Sequence, residues 1–359
     1  MKRPTIYDVA QRAGVSKSLV SLVLRGSPRV SDEKREAVLA AVAELDYTPS
    51  RLAAGLAGTR TRSIGVLVDE LENLWFAPAL EGLRQALGSG GYSLTIADAA
   101  LNAHVGQGPL EVFGSLRVDG VVLAGEVDDA AVARLQVPAV VLGTRALRAP
   151  GAPVVTSDER LGGRLATAHL ADLGHRDIVC VSAPGASAGA REAGYLAEMR
   201  ERGLEPRIVR ADRTSEAAAR AVVEREIFGG PSRGRGAGST GALRDADART
   251  AGPPTAVFAV NDPMAVGVIG AAMRRGLAVP DDLSVVGYDD SPLAAYELVS
   301  LTTVSGDPRE LGEAAGHALV ALIEGGADLE SSRFEPRVVV RTSTSARGDV
   351  GPAVMPAPR

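Results

Sequence analysis

After residue 62 the chain alternates between short runs rich in valine and isoleucine and longer stretches with helical spacing. The apolar runs lie at 63–68, 92–97, 118–124, 138–142, 177–182, 255–260 and 283–287. The helical stretches lie at about 76–88, 159–173, 189–203, 214–228 and 263–275. This alternation predicts parallel sheets flanked by helices, in which the carboxyl ends of the strands face a cleft.

The length and composition narrow the class of protein. A chain of 359 residues is long enough for two or three domains. It contains no apolar run of membrane-spanning length and no apolar signal region near residue 1, so we expect a cytoplasmic protein without a membrane partner. The single cysteine, Cys180, excludes a disulfide framework. The four histidines lack metal-ligand spacing, and we expect neither a metal nor a cofactor.

Residues before 48 have a different pattern, that of three short helices. Thr5 and Asp8 have capping-box spacing, Gly14 suits a tight turn, and Ser16 is placed to cap a second helix. The apolar positions of that second helix are Val20, Val23 and Leu24, and its other face carries Lys17, Ser18, Ser21, Leu22 and Arg25. Two short helices around a glycine turn are typical of a helix-turn-helix, whose second helix enters the major groove of DNA.

The charge distribution supports binding to a polyanion. Residues 1–62 contain 11 Lys and Arg against 6 Asp and Glu, whereas the whole chain carries a net charge of −5. The overall balance therefore conceals a basic head on an acidic body. From this pattern alone, a helical dimerisation bundle with a solvated basic face is the alternative to a DNA-binding head.

The chain resembles the lac repressor/galactose repressor (LacI/GalR) family of bacterial transcription regulators over about residues 4–345. The resemblance begins with TIYDVAQRAGVSKSLVSLVLRGSPRVS and continues through DYTP at 46–49, IGVLV at 64–68, VDG at 118–120, LGHR at 173–176, Asn261-Asp262, VVGYDD at 285–290 and LTTV at 301–304. It implies a small all-α helix-turn-helix head and a two-lobed α/β body like the type I periplasmic binding proteins.

The resemblance also implies the residues that contact DNA. They are Thr5, Ser16, Lys17, Ser18, Ser21, Leu22 and Arg25 in the head, and Arg51 and Leu56 in the hinge. Leu22 occupies a position that is often arginine, so it offers apolar contact, for example to a thymine methyl, and no bidentate contact to guanine. Leu19 replaces a frequent threonine and Ser50 a frequent asparagine. Leu56 matches the apolar wedge that opens a base step in the minor groove; the alternative for this segment is a plain linker helix.

A second set of residues matches family positions that surround an effector, or lies at a predicted strand end. They are Asn73, Trp75, Phe76, Asp98, Arg145, Arg191, Asn261 and Asp289. An aromatic face can cover the apolar face of a sugar while polar groups take its hydroxyls. Thr144 and Gly306 replace a frequent aspartate and glutamine, which argues against a ribose-like ligand; Asp307 is a candidate replacement carboxylate.

The expected domain boundaries follow from these assignments. We predict a head at 1–48, a hinge helix and linker at 49–62, and an effector-binding and dimerisation body at 63–343. Lobe 1 of the body takes 63–158 and 292–325, and lobe 2 takes 159–290 and 326–343, with helix 308–324 in the first lobe and strand 336–342 in the second. The Gly-, Ser- and Arg-rich segment 229–254 is predicted to be a mobile insertion, and 344–359 a disordered tail.

Catalytic motifs are absent. The sequence has no phosphate-binding P-loop, no HExxH zinc motif and no GxSxG elbow. Together with the head pattern and the family resemblance, this predicts a homodimeric regulator of transcription: a repressor that binds double-stranded operator DNA and is controlled by a small polar metabolite such as a sugar. The alternatives are a corepressor-dependent regulator, a sugar-binding protein without a DNA role, and an enzyme on the same fold.

Overall fold

The structure is a computed structural model that describes residues 4–24, 26–47, 60–69, 71–99, 106, 108–125, 129–146, 149–229, 254–326 and 329–347. Contacts divide the chain into two compact units, Met1–Arg62 with Ser115–Val118 and Ser63–Gly114 with Asp119–Arg359. Most of the predicted hinge, residues 230–253 of the predicted insertion and the end of the tail lie outside the described residues. Within the described residues, no helix combines the length and apolar composition needed to cross a membrane.

The head contains the three predicted helices, α1 (Ile6–Arg12), α2 (Lys17–Leu24) and α3 (Asp32–Glu44). Their shared core consists of Val9, Ala10, Val20, Val23, Val30, Val38, Ala41 and Tyr47. The ion pair between Arg12 and Glu44 joins α1 to α3 at 2.6 Å. The helical spacing of small and branched apolar residues thus closes a core between three short helices that are too short to be stable alone.

The first sheet of the body is wholly parallel and has the order β11-β5-β4-β3-β1-β2. Its strands are β1 (Ser63–Val68), β2 (Ser93–Asp98), β3 (Gly120–Ala124), β4 (Ala139–Leu142), β5 (Val154–Ser157) and β11 (Ser332–Phe334). Its helices are α4 (Phe76–Gly88), α5 (Pro109–Leu116) and α6 (Asp129–Val132), with α11 (Pro308–Ile323) returning to pack against α4. The core lies between the sheet and the α4–α11 pair.

The second sheet has the order β12-β10-β9-β8-β6-β7, and only its β12–β10 pair is antiparallel. Its strands are β6 (Ile178–Ser182), β7 (Arg207–Arg210), β8 (Ala256–Ala259), β9 (Ser284–Tyr288), β10 (Thr302–Ser305) and β12 (Arg337–Val339). The flanking helices are α7 (Glu159–Asp172), α8 (Ala186–Glu201), α9 (Glu216–Glu226) and α10 (Asp262–Arg274), followed by a 3₁₀ turn at Pro292–Ala295. Together the two sheets confirm the predicted α/β architecture.

Two details of the predicted lobes are wrong. Strand β10 belongs to the second sheet, although 292–325 was assigned to lobe 1, and β11 pairs with β5 in the first sheet, although 326–343 was assigned to lobe 2. The chain therefore crosses between the sheets three times, as predicted, but the second crossing follows β10 and the third lies between β11 and β12. Polar β10 is wholly buried because protein groups satisfy its hydroxyls; Thr303 Oγ1, for example, donates to Asp262 at 2.6 Å.

Glycines let the helices of the body approach closely. A methyl group on Gly163 would overlap the Arg191 carbonyl, and one on Gly194 would overlap the Arg160 carbonyl, so α7 and α8 are in backbone contact. This close crossing fixes α8 against the second sheet and sets the position of Arg191 on it.

Candidate functional site

The exposed face of α2 carries the head residues predicted to contact DNA. Ser16, Lys17, Ser18 and Leu22 are exposed and Ser21 is half-buried. Leu22 is 42 % exposed, so it does not pack into the core of the head. Arg25, Arg51 and Leu56 lie outside the described residues. The exposed α2 face therefore offers one cation, several hydroxyls and one apolar side chain to a partner.

Two hydrogen-bonded caps position this face. Ser16 Oγ accepts the Leu19 N–H at 3.2 Å at the start of α2, as predicted. The Asp8 carboxylate accepts the Thr5 N–H at 2.7 Å at the start of α1, and the exposed Thr5 hydroxyl also donates to it at 2.7 Å. Lys17 Nζ donates to the Tyr7 hydroxyl at 3.3 Å and lies 4.9 Å from the centre of its ring. This contact directs the Lys17 ammonium along the exposed side of the head.

A cleft of about 490 Å³ lies between the two sheets of the body. Its walls include Asp69, Glu72, Asn73, Trp75, Phe76, Gly143, Thr144, Arg145, Glu159, Ser187, Arg191, Glu216, Asn261 and Asp289. These residues follow the carboxyl ends of β1, β4, β5, β6, β7, β8 and β9 or begin the helices after them. Parallel strands that end at one edge of each sheet therefore build this site from loops on a rigid frame.

Arg191 organises the wall formed by the second sheet. Its Nε lies 2.6 Å from Glu159 Oε2, its Nη2 lies 2.9 Å from Asp289 Oδ1, and its Nη1 donates to the Val260 carbonyl at 2.7 Å. The guanidinium also stacks on the Tyr288 ring, 3.7 Å from the ring centre. These partners come from the start of α7 and from the carboxyl ends of β8 and β9, so one buried cation ties three elements together.

Burial shifts the acid–base behaviour of this network. It raises the pKa of Asp289 to about 7, although Arg191 acts in the opposite direction. Burial also raises the pKa of Asp262 to about 6, against the hydrogen bonds that Thr303 and Ser291 donate to it. For Arg191 burial lowers the pKa, but Asp289 and Glu159 more than offset this and raise it. Two carboxyl groups therefore titrate near neutral pH beside the cleft.

The backbone of Asp289 is strained. Its φ of 107° and the φ of 48° at Asp290 are left-handed values in two consecutive non-glycine residues. Asp290 is held by Arg341, whose Nη2 donates to its carboxylate at 2.7 Å. Strain of this kind persists where the surrounding contacts determine the conformation, and it is common in binding sites.

The first sheet contributes an aromatic and ionic wall. Trp75 and Phe76 meet edge to face with ring centres 5.2 Å apart. Arg145 Nη1 lies 2.9 Å from Asp69 Oδ2, and its guanidinium carbon lies 6.0 Å from the centre of the Phe76 ring. Phe76 is buried and serves the core, whereas half-buried Trp75 faces the cleft.

The amide side chains of the cleft also have structural roles. Asn261 caps α10, because its Oδ1 accepts the Met264 N–H at 2.9 Å, and its Nδ2 donates to the Thr214 carbonyl at 3.2 Å. Asn73 Oδ1 accepts the Trp75 N–H at 3.0 Å. Across the cleft, Ser187 Oγ donates to the Thr144 carbonyl at 3.2 Å and links the walls of the two sheets.

Seven of the eight residues predicted to contact an effector line the cleft, and Asp98 does not. Asp98 is buried after β2 and accepts the Leu71 N–H at 2.8 Å, so it supports the loop before Asn73. Asp307 is not a replacement carboxylate in the cleft, because it caps α11 and pairs with Arg337 at 3.3 Å. A side chain at Gly306 has no space, since its Cβ would lie 2.6 Å from Ser157 Oγ.

Sequence reasoning found Asp289 but missed the other four acidic residues of the cleft. They are Asp69, Glu72, Glu159 and Glu216. Asp69 directly follows β1, and Glu159 and Glu216 are the first residues of α7 and α9. Ligands bind beyond the carboxyl ends of parallel strands, so this rule could have identified all of these residues as candidates for the cleft.

Family profiles match nearly the whole chain. The profile described as "Bacterial regulatory proteins, lacI family" matches residues 5–50. "Periplasmic binding proteins and sugar binding domain of LacI family" matches residues 61–225, and "Periplasmic binding protein-like domain" matches residues 167–344.

Individual proteins agree with the profiles. The HTH-type transcriptional repressor PurR of Erwinia tasmaniensis is 35 % identical over 95 % of this chain and 97 % of its own length, and PurR of Serratia proteamaculans is 33 % identical over similar shares. Among solved structures, the lac repressor dimer bound to operator and the anti-inducer ONPF is 28 % identical, with a TM-score of 0.77 over 96 % of this chain and 100 % of that one. A CelR–cellobiose complex is 27 % identical, with a TM-score of 0.64 over 95 % of this chain and 100 % of that one. The chain belongs to the LacI family of bacterial regulatory proteins, as a DNA-binding transcriptional repressor with an effector-binding domain.

Proposed function

We propose that this repressor binds a pseudo-palindromic operator as a homodimer in the cytoplasm and that a small polar metabolite, of the sugar type, controls the binding from the cleft. The observation that supports the proposal most directly is that one chain contains both a basic helix-turn-helix head and a body with a cleft. The basic head exposes Lys17 and Leu22 on α2, and the body has a deep cleft with aromatic and hydrogen-bonding walls. A single small head offers few contacts to DNA, so a dimer doubles them.

The mechanism is a linkage between two sites. A ligand in the cleft would contact the residues that follow strands of both sheets, among them Trp75 on one wall and Asp289 on the other. It would favour one relative position of the lobes, and that position would set the spacing of the two heads. A coupling of about 1–3 kcal/mol is typical and changes operator affinity about 5- to 150-fold. The CelR–cellobiose complex among the similar structures supports a carbohydrate as the type of ligand.

The DNA half of the proposal is tested with a matched pair of lysine variants. An operator is selected from random duplex DNA, and binding is measured by fluorescence anisotropy against a scrambled duplex. Lys17→Ala removes the cation of α2, whereas Lys34→Ala removes the same charge from exposed α3. We expect Lys17→Ala to lower the ratio of operator to scrambled affinity about tenfold or more, and Lys34→Ala to leave that ratio unchanged. Equal effects of the two variants would refute base reading by α2.

The control half is tested by adding candidate metabolites to the operator complex. An inducer weakens operator binding, whereas a corepressor strengthens it, so the direction of the change separates the two kinds of regulator. A ligand that binds in the cleft without changing operator affinity would refute the proposed control.

A further inference from the structure

The cleft of the body carries an excess of negative charge. Its lining includes five carboxylates, Asp69, Glu72, Glu159, Glu216 and Asp289, and two guanidiniums, Arg145 and Arg191. No lysine and no histidine belongs to the lining in the part of the chain that the structure describes. The formal charges of these seven groups therefore sum to −3 when Asp289 is ionised and to −2 when it is protonated.

Both guanidiniums already have carboxylate partners. Arg145 pairs with Asp69 at 2.9 Å and donates from Nε to the Leu142 carbonyl at 3.3 Å. Arg191 is buried between Glu159 and Asp289, at 2.6 and 2.9 Å. An anionic ligand that contacts either guanidinium would therefore lie close to a carboxylate, whose charge opposes its binding.

The other two carboxylates differ in their partners, and only Glu72 adds an uncompensated negative charge. Glu216 pairs with Arg220, which is not part of the lining. Glu72 is exposed at the rim and forms no ion pair with any described residue. A ligand in the cleft therefore has acidic groups on the walls of both sheets around it, and both cations of the lining are already paired.

We propose that the cleft accepts neutral or cationic ligands and rejects ligands that carry a phosphate or carboxylate. The inference rests on the proposed effector role of the cleft and narrows the chemical class of the effector to unphosphorylated compounds. A neutral polyol satisfies the walls, because Trp75 can cover its apolar face and the carboxylates can accept from its hydroxyls. An added amine is tolerated near Glu72, whereas an added phosphate faces like charges.

Inorganic phosphate tests this selection without knowledge of the effector. We expect phosphate to leave the melting temperature of the full chain unchanged relative to chloride at matched ionic strength and pH. Asp69→Asn releases Arg145 and should strengthen phosphate binding about tenfold or more. The control Asp172→Asn makes the same charge change at Arg202, outside the cleft, and should not. Phosphate binding to the wild-type chain that Arg145→Gln abolishes, or no gain in Asp69→Asn, would overturn the proposal.

Matched pairs of probes test the selection among metabolites by calorimetry. The neutral or cationic members are cellobiose, D-glucose, D-glucosamine and adenosine, and the anionic members are D-glucose 6-phosphate, D-gluconate and adenosine monophosphate. We expect every binding compound to come from the first group, with its anionic counterpart about 100-fold weaker or more. Equal or tighter binding of an anionic member would overturn the proposal. A neutral member that binds without changing operator affinity would refute the proposed control and leave the charge selection intact, and if no member binds, the phosphate measurement decides.

Discussion

Replacing Arg191 with methionine should strongly destabilise the body of the repressor. The change keeps much of the side-chain volume but removes the cation that pairs with Glu159 and Asp289 and the donor to the Val260 carbonyl. The side chains of Arg191, Glu159 and Asp289 are only 8 %, 8 % and 4 % exposed, so water cannot replace the lost partner. Breaking a buried pair of this kind costs about 3–5 kcal/mol.

A control variant separates the effect of losing a buried ion-paired arginine from the effect of losing one that is partly exposed. Arg164→Met is the matched control, because Arg164 also pairs with two carboxylates, Glu198 and Glu201, but its side chain is 39 % exposed. Glu201 is exposed, and buried Glu198 keeps its second partner Arg202 at 2.7 Å, so the control should change the unfolding free energy by only about 0–1 kcal/mol.

Urea unfolding followed by tryptophan fluorescence and circular dichroism supplies the measurement. We expect the free energy of unfolding of Arg191→Met to fall several-fold more than that of Arg164→Met. Adding Glu159→Gln and Asp289→Asn to Arg191→Met should restore at least half of the loss, because neutral partners no longer leave uncompensated buried charges. Equal small losses in the two methionine variants, or no restoration in the triple variant, would refute the buried-charge explanation.

Further predictions concern pH, helix packing and the contact across the cleft. Burial raises the pKa of Asp289 to about 7 and that of Asp262 to about 6, whereas both titrate at about 3.9 in an unfolded chain. The native chain therefore binds more protons than the unfolded chain between about pH 4 and 7, so the unfolding free energy should fall as pH rises through that window. Asp289→Asn should make this fall less steep. An unfolding free energy that rises with pH, with the same slope in Asp289→Asn, would contradict the prediction. Gly194→Ala should destabilise the body by about 1–3 kcal/mol, because its methyl group would overlap the Arg160 carbonyl. The control Gly189→Ala, on the same helix, places its methyl group in open space and should stabilise the body slightly. Equal melting temperatures of the two variants would contradict the close α7–α8 crossing. Ser187→Ala removes the hydrogen bond to the Thr144 carbonyl across the cleft and should shift the free energy of effector binding by about 0.5–1.5 kcal/mol, measured by calorimetry. Operator affinity without effector, measured by anisotropy, should not fall. A loss of operator binding in the ligand-free variant would count against this role.

Periodicity was sufficient for most of the fold, but it missed β5, β7, β10 and β11, which are three or four residues long and contain polar residues. The first strand and first long helix of the body begin and end where the pattern predicts, because Ile64, Val66 and Val68 and the helical face of 76–88 serve one core. Strand β10 was missed because Thr302, Thr303 and Ser305 have no apolar pattern. Its burial depends on hydroxyl partners such as Asp262 and Ser343, which are distant in the sequence.

The sequence predicted many of the residues that line the cleft, but not the ion pairs and helix caps in which they take part. The family resemblance pointed to Arg191, Asn261 and Asp289, and all three line the cleft. It did not show that Arg191 is already paired or that Asn261 caps a helix, since these contacts depend on Glu159, Asp289 and the turn at the start of α10. The net charge of the cleft depends on residues from distant parts of the chain, so no local sequence pattern predicts it.

We propose that the cleft of the body and the exposed α2 face of the head are linked sites. The most direct test is reciprocity, measured with any ligand of the probe panel that binds in the cleft. The factor by which ligand changes the operator dissociation constant is measured by anisotropy, and the factor by which operator changes the ligand dissociation constant by calorimetry. Linkage between the two sites predicts equal factors of about 5-fold or more, both absent in the body without residues 1–62. Tight ligand binding in the cleft with an operator dissociation constant that does not change would contradict it.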